Sequence, residues 1–206
     1  MRLRHPPGRA GRLWLGHRLA VAQRGVDLLD KKRRVLMQEE RRLRVVARDT
    51  AAEWVHAARE AETWLNRAAI MAGEEKLSML AAQHPAASVA VRWRSSMGVV
   101  FAAEADVDLG PVPADPSGGS AAADLAVSAY RRAVGPAVNE AAARSALTRI
   151  SRERELTARR QRAVERRWVP ALADAIARLD GVLDEVEREE ATRALWVRTR
   201  NRQPGS

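Results

Sequence analysis

Four histidines, 26 acidic residues and no cysteine are the raw material for chemistry in this chain of 206 residues. His5, His17, His56 and His84 are scattered and have no acidic partners at metal-ligand spacing; without cysteine, neither thiolate sites nor disulfides can form. Asp106, Asp108 and Gly110 begin like a calcium loop, but no bidentate glutamate follows in register, so they read as an acidic turn. Glu187, Glu189 and Glu190 read as a solvated helix face rather than an acid/base pair. No glycine-rich loop ends in lysine and serine or threonine, so nothing is shaped to cradle a nucleotide phosphate. The expectation is a chain with no catalytic residue, no cofactor and no metal.

Charge is the more informative chemistry. Thirty-six basic residues give a net charge of +10, and only Lys31, Lys32 and Lys76 are lysines. Such a chain favours acidic partners: nucleic acid, anionic lipid or an acidic protein surface. The runs Lys31-Lys32-Arg33-Arg34, Arg41-Arg42, Arg159-Arg160 and Arg166-Arg167 could meet phosphates. They lack aromatic interleaving and a groove-reading fold, so nucleic acid is not the favoured partner. Part of the arginine bias also fits a GC-rich genome.

The element that must position these charges is written in an apolar stripe advancing by alternate steps of four and three. It runs Leu15, Leu19, Ala22, Val26, Leu29, Arg33, Leu36, Glu40, Leu43, Ala47, Thr50, Trp54, Ala57, Ala61, Trp64 and Ala68; only Arg33, Glu40 and Thr50 break it. A 3.5-residue period held this long specifies a left-handed coiled coil, because each seam residue must keep facing its partner helix. No proline falls between Gly11 and Gly73, and at 1.5 Å per residue such a helix is roughly 90 Å long. Trp54 and Trp64 lie on the stripe as core anchors; Trp14, Trp168 and Trp196 fit it less well and could meet a partner. Composition agrees: 46% hydrophobic but 4% aromatic, with 30% charged residues, suits thin helical layers better than a thick core. The arginine-rich, acid-free first 26 residues mimic an organellar presequence, but the stripe already runs through them. His17 and Arg18 interrupt any secretory apolar core. No run approaches the ~18 apolar residues that cross a bilayer.

The chain divides accordingly. Residues 1–10 read as a loose tail, 11–73 as the first long helix and 74–120 as a compact insert. Within the insert, Glu74 to Gln83 forms a short helix before His84-Pro85. Val89, Val91 and Trp93 alternate with Arg92 and Arg94, a turn follows at Ser95-Ser96-Met97-Gly98, and Val99-Val100-Phe101 returns as a β-hairpin. Gly110 to Ser120 is a flexible connector. A second long helix spans 121–200, broken or kinked at Gly135-Pro136 and bent at Pro170. Its seam is weakened by the charges from Arg152 to Arg167 and returns at Leu172, Ile176, Leu179, Leu183 and Val186. Residues 201–206 read as a disordered tail. The fold class is all-α: a long antiparallel two-helix coiled coil with a small insert carrying a short β-hairpin.

Two segments say more than heptads. RAGRLWLGHRLAVAQRGVDLLDKKRRVL, Arg9 to Leu36, resembles the amino-terminal signature of the D-type subunit of the rotary V/A-type ATPases, A-x-R-G-x-x-L-L-x-x-K-R-x-x-L. Ala22, Arg24, Gly25, Leu28, Leu29, Lys32, Arg33 and Leu36 carry it. TARRQRAVERRWVP, Thr157 to Pro170, resembles the family's carboxy-terminal T-x-R-R-x-x-A-L-E-x-x-x-I-P. Thr157, Arg159, Arg160, Ala163, Val164, Glu165, Val169 and Pro170 carry that one. Gln161-Arg162 and Arg166-Arg167 depart from the family pattern.

The resemblance implies a central-stalk rotor subunit and not an enzyme. It would couple ATP synthesis or hydrolysis in a catalytic ring to ion transport, with protons the expected ion. Implied partners are the catalytic and regulatory ring subunits (A and B type), a small stalk subunit (F type) and a membrane-rotor socket subunit (C/d type). Nucleotide would not bind directly, and the membrane would be met only through the complex, on its cytoplasmic face, in a bacterium or archaeon. Candidate ring contacts are Arg24, Lys31, Lys32, Arg33, Arg159, Arg160 and Glu165; candidate shaft bends are Gly135, Pro136 and Pro170. A different reading of the stripe and charge is a free-standing basic coiled-coil scaffold or nucleic-acid-associated protein.

Overall fold

The computed structural model describes residues 4–112 and 120–200, with the side chains of 199 and 200 excepted. The tail expected over 201–206, the first three residues of the amino-terminal tail, and 113–119 of the connector lie outside the described residues. Helix α1 spans Gly8–Ala72 and α2 spans Glu74–Gln83. Strands β1, Ser88–Ser96, and β2, Val99–Asp108, follow. Helix α3, Ala121–Ala163, passes through a π-turn, Val164–Trp168, into α4, Val169–Arg200. Contacts divide the chain into two compact units: one from the two ends, up to Arg33 and from Leu156, and one from Arg34–Glu155.

The heptad stripe decides what α1 buries. None of its sixteen positions is exposed. Two of its polar members find partners on α1 itself: Thr50 Oγ1 donates to the Val46 carbonyl at 2.9 Å, and Arg33 pairs with Asp30 at 2.9 Å. Gly73 (φ 82°, ψ 153°) takes a positive-φ conformation that glycine alone adopts freely, which ends α1, and α2 starts at the next residue.

Helix α3 carries the answering stripe: Ala122, Ala126, Ala129, Ala133, Pro136, Glu140, Ala143, Leu147, Ile150, Arg154, Thr157, Gln161 and Val164, again in fours and threes and again never exposed. Of the break or kink expected at Gly135-Pro136, the break does not occur: the helix runs continuously through both residues. The stripe then continues as Val169, Leu172, Ile176, Leu179 and Leu183, also not exposed. One step in this series is five, from Val164 to Val169, and that is where the π-turn lies. Val169 N–H donates to the Val164 carbonyl, a bond spanning five residues in place of four. The turn absorbs the one surplus residue. Without it, everything after Val164 would be rotated by about 100° relative to the seam. Pro170 bears on its location. A proline ring inside an α-helix collides with the carbonyl four residues back, and the wider turn immediately before it gives that carbonyl room. Trp168 is left outside the stripe, 39% exposed.

In the Arg34–Glu155 unit, α1 and α3 pair antiparallel. Leu36 and Leu43 pack with Ala146, Ile150 and Phe101; Ala61 packs with Ala129 and Ala133; Ala68 packs with Leu80, Ala122, Ala123 and Ala126. Rising numbers on one helix thus meet falling numbers on the other, and Glu60–Arg132 at 2.6 Å lies in the same order. Trp54 and Trp64 flank the alanine section as half-buried anchors. Burying a leucine or isoleucine side chain here stabilises by about 2 kcal/mol, an alanine far less, so the ends of this section hold it more firmly than its middle.

The hairpin packs on the same unit. Its two-residue turn, Met97 (φ 50°) and Gly98 (φ 81°), has the mirror-image geometry that matches strand twist. Pairing runs from Ser96↔Val99 to Ser88↔Asp108, with a bulge between Arg92↔Glu104 and Trp93↔Ala102. Val99 and Phe101 enter the Leu36–Ile150 cluster. Asp106 and Asp108, expected in a turn, lie on β2 instead. There Arg92 pairs with Glu104 at 2.7 Å and Asp106 at 3.3 Å, and Asp108 accepts the Gly110 N–H at 2.9 Å. Arg131 of α3 donates to the Leu109 and Gly110 carbonyls at 3.3 and 2.7 Å and ties down the hairpin's exit.

In the unit built from the chain ends, Leu15, Leu172, Ala175 and Leu179 form the core, flanked by Trp14, Leu19, Ala22, Ile176 and Leu183. Arg12–Asp180 at 2.6 Å and Arg9–Glu187 at 2.8 Å again mark antiparallel pairing. Ala175 is a core member the sequence stripe did not include, while Val186, which it did, is 46% exposed. Helix α1 starts at Gly8 and Arg9 already meets Glu187, so little of α1 remains to cover Val186.

Candidate functional site

The residues singled out for partner contact fall on α1, α3 and the π-turn, in the unit built from the chain ends. Arg24, Lys31, Arg159, Arg160 and Glu165 are exposed. They occupy positions between seam residues, which is why helix geometry turns them to solvent: Lys31 lies two residues before stripe member Arg33, and Arg159 and Arg160 lie between Thr157 and Gln161. Glu165 is inside the π-turn, and the extra residue there sets the direction of Glu165, Arg166 and Arg167 relative to the seam.

Lys32 and Arg33 differ from the rest. Both are half-buried, and Arg33, as a stripe member, directs its guanidinium to Asp30 on its own helix. Arg24 Nε reaches back to the Ala20 carbonyl at 3.4 Å. The positive surface is therefore made of two kinds of cation: outward ones open to solvent, and inward ones held by the helix. The outward kind suits sequential contact, since exposed ion pairs are worth about 0–1 kcal/mol each and can form and break cheaply.

Of the bend candidates, Pro170 follows the π-turn directly, while Gly135 and Pro136 lie half-buried inside continuous α3. A shallow groove beside the π-turn is lined by His17, Arg18, Val21, Ala22, Val164, Trp168 and Leu172, and the Arg18 guanidinium lies 4.5 Å from the Trp14 ring centre. Among the described residues no three histidines, aspartates or glutamates converge to hold a metal ion, and no helix is long and apolar enough to cross a membrane.

The sequence stripe flagged Glu40 only as an interruption. In the structure it is 8% exposed and central to a polar node. Arg44 approaches Oε1 at 3.0 Å, Ser151 Oγ donates to Oε1 at 2.9 Å, and Arg154 Nε lies 2.5 Å from Oε2. The signal that could have found it is the i,i+3 pair Ser151 and Arg154 on the second helix.

Two long paired helices with a short hairpin insert agree with what similarity to known proteins finds. The family model for the D-type subunit of ATP synthase matches residues 13–199. The D-type subunit of the V-type ATP synthase of Anaeromyxobacter dehalogenans is 33% identical over 208 aligned positions, covering 95% of this chain and 96% of that one. The corresponding V-type subunit of Thermotoga neapolitana is 29% identical, covering 91% and 93%. The D-type subunit of the A-type ATP synthase of Pyrococcus furiosus is 29% identical, covering 91% and 90%. Because the match takes in both helices and the hairpin between them, the chain belongs to the family of ATP synthase D-type subunits.

Proposed function

We propose that this chain is the central rotor shaft of a V/A-type rotary ATPase or ATP synthase, a non-catalytic subunit that couples nucleotide chemistry in a ring of A- and B-type subunits to ion transport, with protons the expected ion. The observation that carries this reading is the family match over residues 13–199, which takes in the whole of the paired-helix seam. A seam with no exposed position along either stripe resists twisting, because rotating one helix against the other would lift buried side chains into water. The outward arginines and Lys31 meet the second requirement of a shaft, many weak polar contacts in place of one apolar lock.

Within this proposal Arg24, Lys31, Lys32, Arg33, Arg159, Arg160 and Glu165 bear on the ring. Lys32 and Arg33 act chiefly by shaping the helix surface, since both are half-buried. Pro170, with the π-turn, and Gly135-Pro136 give the shaft its asymmetry. A small F-type subunit and a C/d-type socket complete the stalk, and the membrane is reached only through them. Reversing Arg159 and Arg160 to glutamate is expected to lower coupled ATP turnover while the assembly stays intact; unchanged coupling would remove these two residues from the contact. The function itself is tested by the native mass of what co-purifies with the tagged chain. An assembly with ATPase activity, holding catalytic subunits in threefold copy against one of this chain, is the expected result. A free monomer, a homodimer or a nucleic-acid complex would favour the scaffold reading.

A further inference from the structure

We infer that the cavity between α2, the loop that follows it and α3 is a binding site for a small apolar carboxylate of the fatty-acid class. The cavity lies within the Arg34–Glu155 unit and measures about 390 Å³, the size of a small-molecule site. Its walls are hydrocarbon: Leu65 of α1, Leu77 and Leu80 of α2, and Val127 and Val134 of α3. Sequence explains the space. Gly73 turns the chain off α1 into α2, and the side chain that α3 offers at Ala123 is too short to fill the gap.

Besides Tyr130, which is 45% exposed, two polar side chains line it, His84 and Arg131. Nε2 of His84 is buried and has no hydrogen-bond partner, a condition that native interiors rarely leave unexplained. Arg131 holds the Leu109 and Gly110 carbonyls at 3.3 and 2.7 Å, and its guanidinium has further N–H donors beyond the two used there. Those carbonyls fix the guanidinium without cancelling its charge. Gly110 (φ 64°) brings the two groups to one wall. A Cβ there would lie 2.8 Å from Cγ of Pro85, so only glycine lets the loop that Arg131 holds approach the loop that carries His84. No acidic side chain is among the described residues that line the cavity. Charge complementarity therefore selects an anion, and the apolar walls select a hydrocarbon body behind it. An alcohol of the same length would leave the guanidinium charge unanswered, and an ammonium would be repelled by it.

Octanoate, octanol and octylamine, titrated calorimetrically into the full chain, test this. Octanoate is expected to saturate a single site with a Kd about ten times or more below that of octanol, the factor one charge-assisted hydrogen bond carries, and octylamine to bind weakest. His84→Phe keeps the bulk of the ring and removes Nε2; Arg131→Gln removes the charge. Each should raise the octanoate Kd about tenfold and leave that of octanol unchanged, whereas a wall that had merely loosened would weaken both. Ala81 lines the cavity from an exposed position on α2, so Ala81→Phe should fill its mouth and abolish both affinities with far-UV dichroism retained. Equal affinity for octanoate and octanol would overturn the inference, and that comparison needs no variant to fold. So would octanoate binding that survives Ala81→Phe, since a chain of net charge +10 would then be holding the acid elsewhere. Absence of saturable binding by all three would overturn it too, and leave the cavity to a side chain of a partner protein. The readout needs no ATPase activity, so it stands apart from the rotor proposal.

Discussion

Deleting one residue from a buried coiled-coil helix should be ruinous everywhere except at the π-turn. The second stripe steps by four and three from Ala122 to Val164, takes one step of five to Val169, and resumes. Removing Arg166, which is exposed, shortens that step to four and leaves every later seam residue in phase with an unbroken α-helix. With Pro170→Ala in the same chain, the ring and the missing N–H also go, worth about 3 kcal/mol inside an α-helix. The variant should be as stable as the parent or more so, by up to about that amount. Removing Arg178, also exposed and also charged, in the same Pro170→Ala background cannot be absorbed in that way. If the π-turn stays, Leu179 and Leu183 turn away from Leu15; if it relaxes to α-helix, Leu172 and Ile176 do. At about 2–5 kcal/mol for a leucine removed from a core, the cost is on the order of 2–5 kcal/mol. Urea unfolding followed at 222 nm measures both. If the Arg166 deletion proves as damaging as the Arg178 deletion, the π-turn is not holding a surplus residue and the phase argument fails.

Two further outcomes follow from packing and backbone. Phe101→Ala empties the centre of the Leu36–Ile150 cluster and should cost about 3–5 kcal/mol, read by the same unfolding curves; a loss below 1 kcal/mol would mean the hairpin does not pack on the helices. Gly98→Val forces a β-branched residue into φ 81° and should loosen the hairpin by about 1–2 kcal/mol without altering helix content; faster amide exchange over 88–108 with unchanged far-UV dichroism is the expected signature.

Much of this architecture could be read from residues because a seam is a repeated constraint. Every third or fourth position of α1 must be buried, and one long series makes the pattern unmistakable. The short helix at Glu74–Gln83 and the hairpin turn at Met97-Gly98 were legible for a local reason, the glycines that stop or reverse the chain. Pro136 could not be read as a break or a kink from sequence, because a proline in a helix costs one bond and some strain, which α3 absorbs without ending. The π-turn was concealed by charge: Arg159 to Arg167 hides the stripe members Gln161 and Val164, so the step of five could not be counted. Asp106 was misplaced because its pairing with Arg92 depends on strand register, which the bulge after Arg92 sets. The candidate contact residues rest only on resemblance to a family. Charge alone marks where a partner could be met, and burial was needed to separate outward Arg159 and Arg160 from inward Arg33.

The rotor claim is tested most directly by tying the shaft to its ring. A cysteine at Arg159 or Arg160, in a chain that has none of its own, would be cross-linked by oxidation to a cysteine placed on the facing ring subunit in the assembled complex. A rotor predicts that ATP turnover stops as the cross-link forms and returns when it is reduced. Turnover that continues with the chain covalently fixed to the ring would contradict the account.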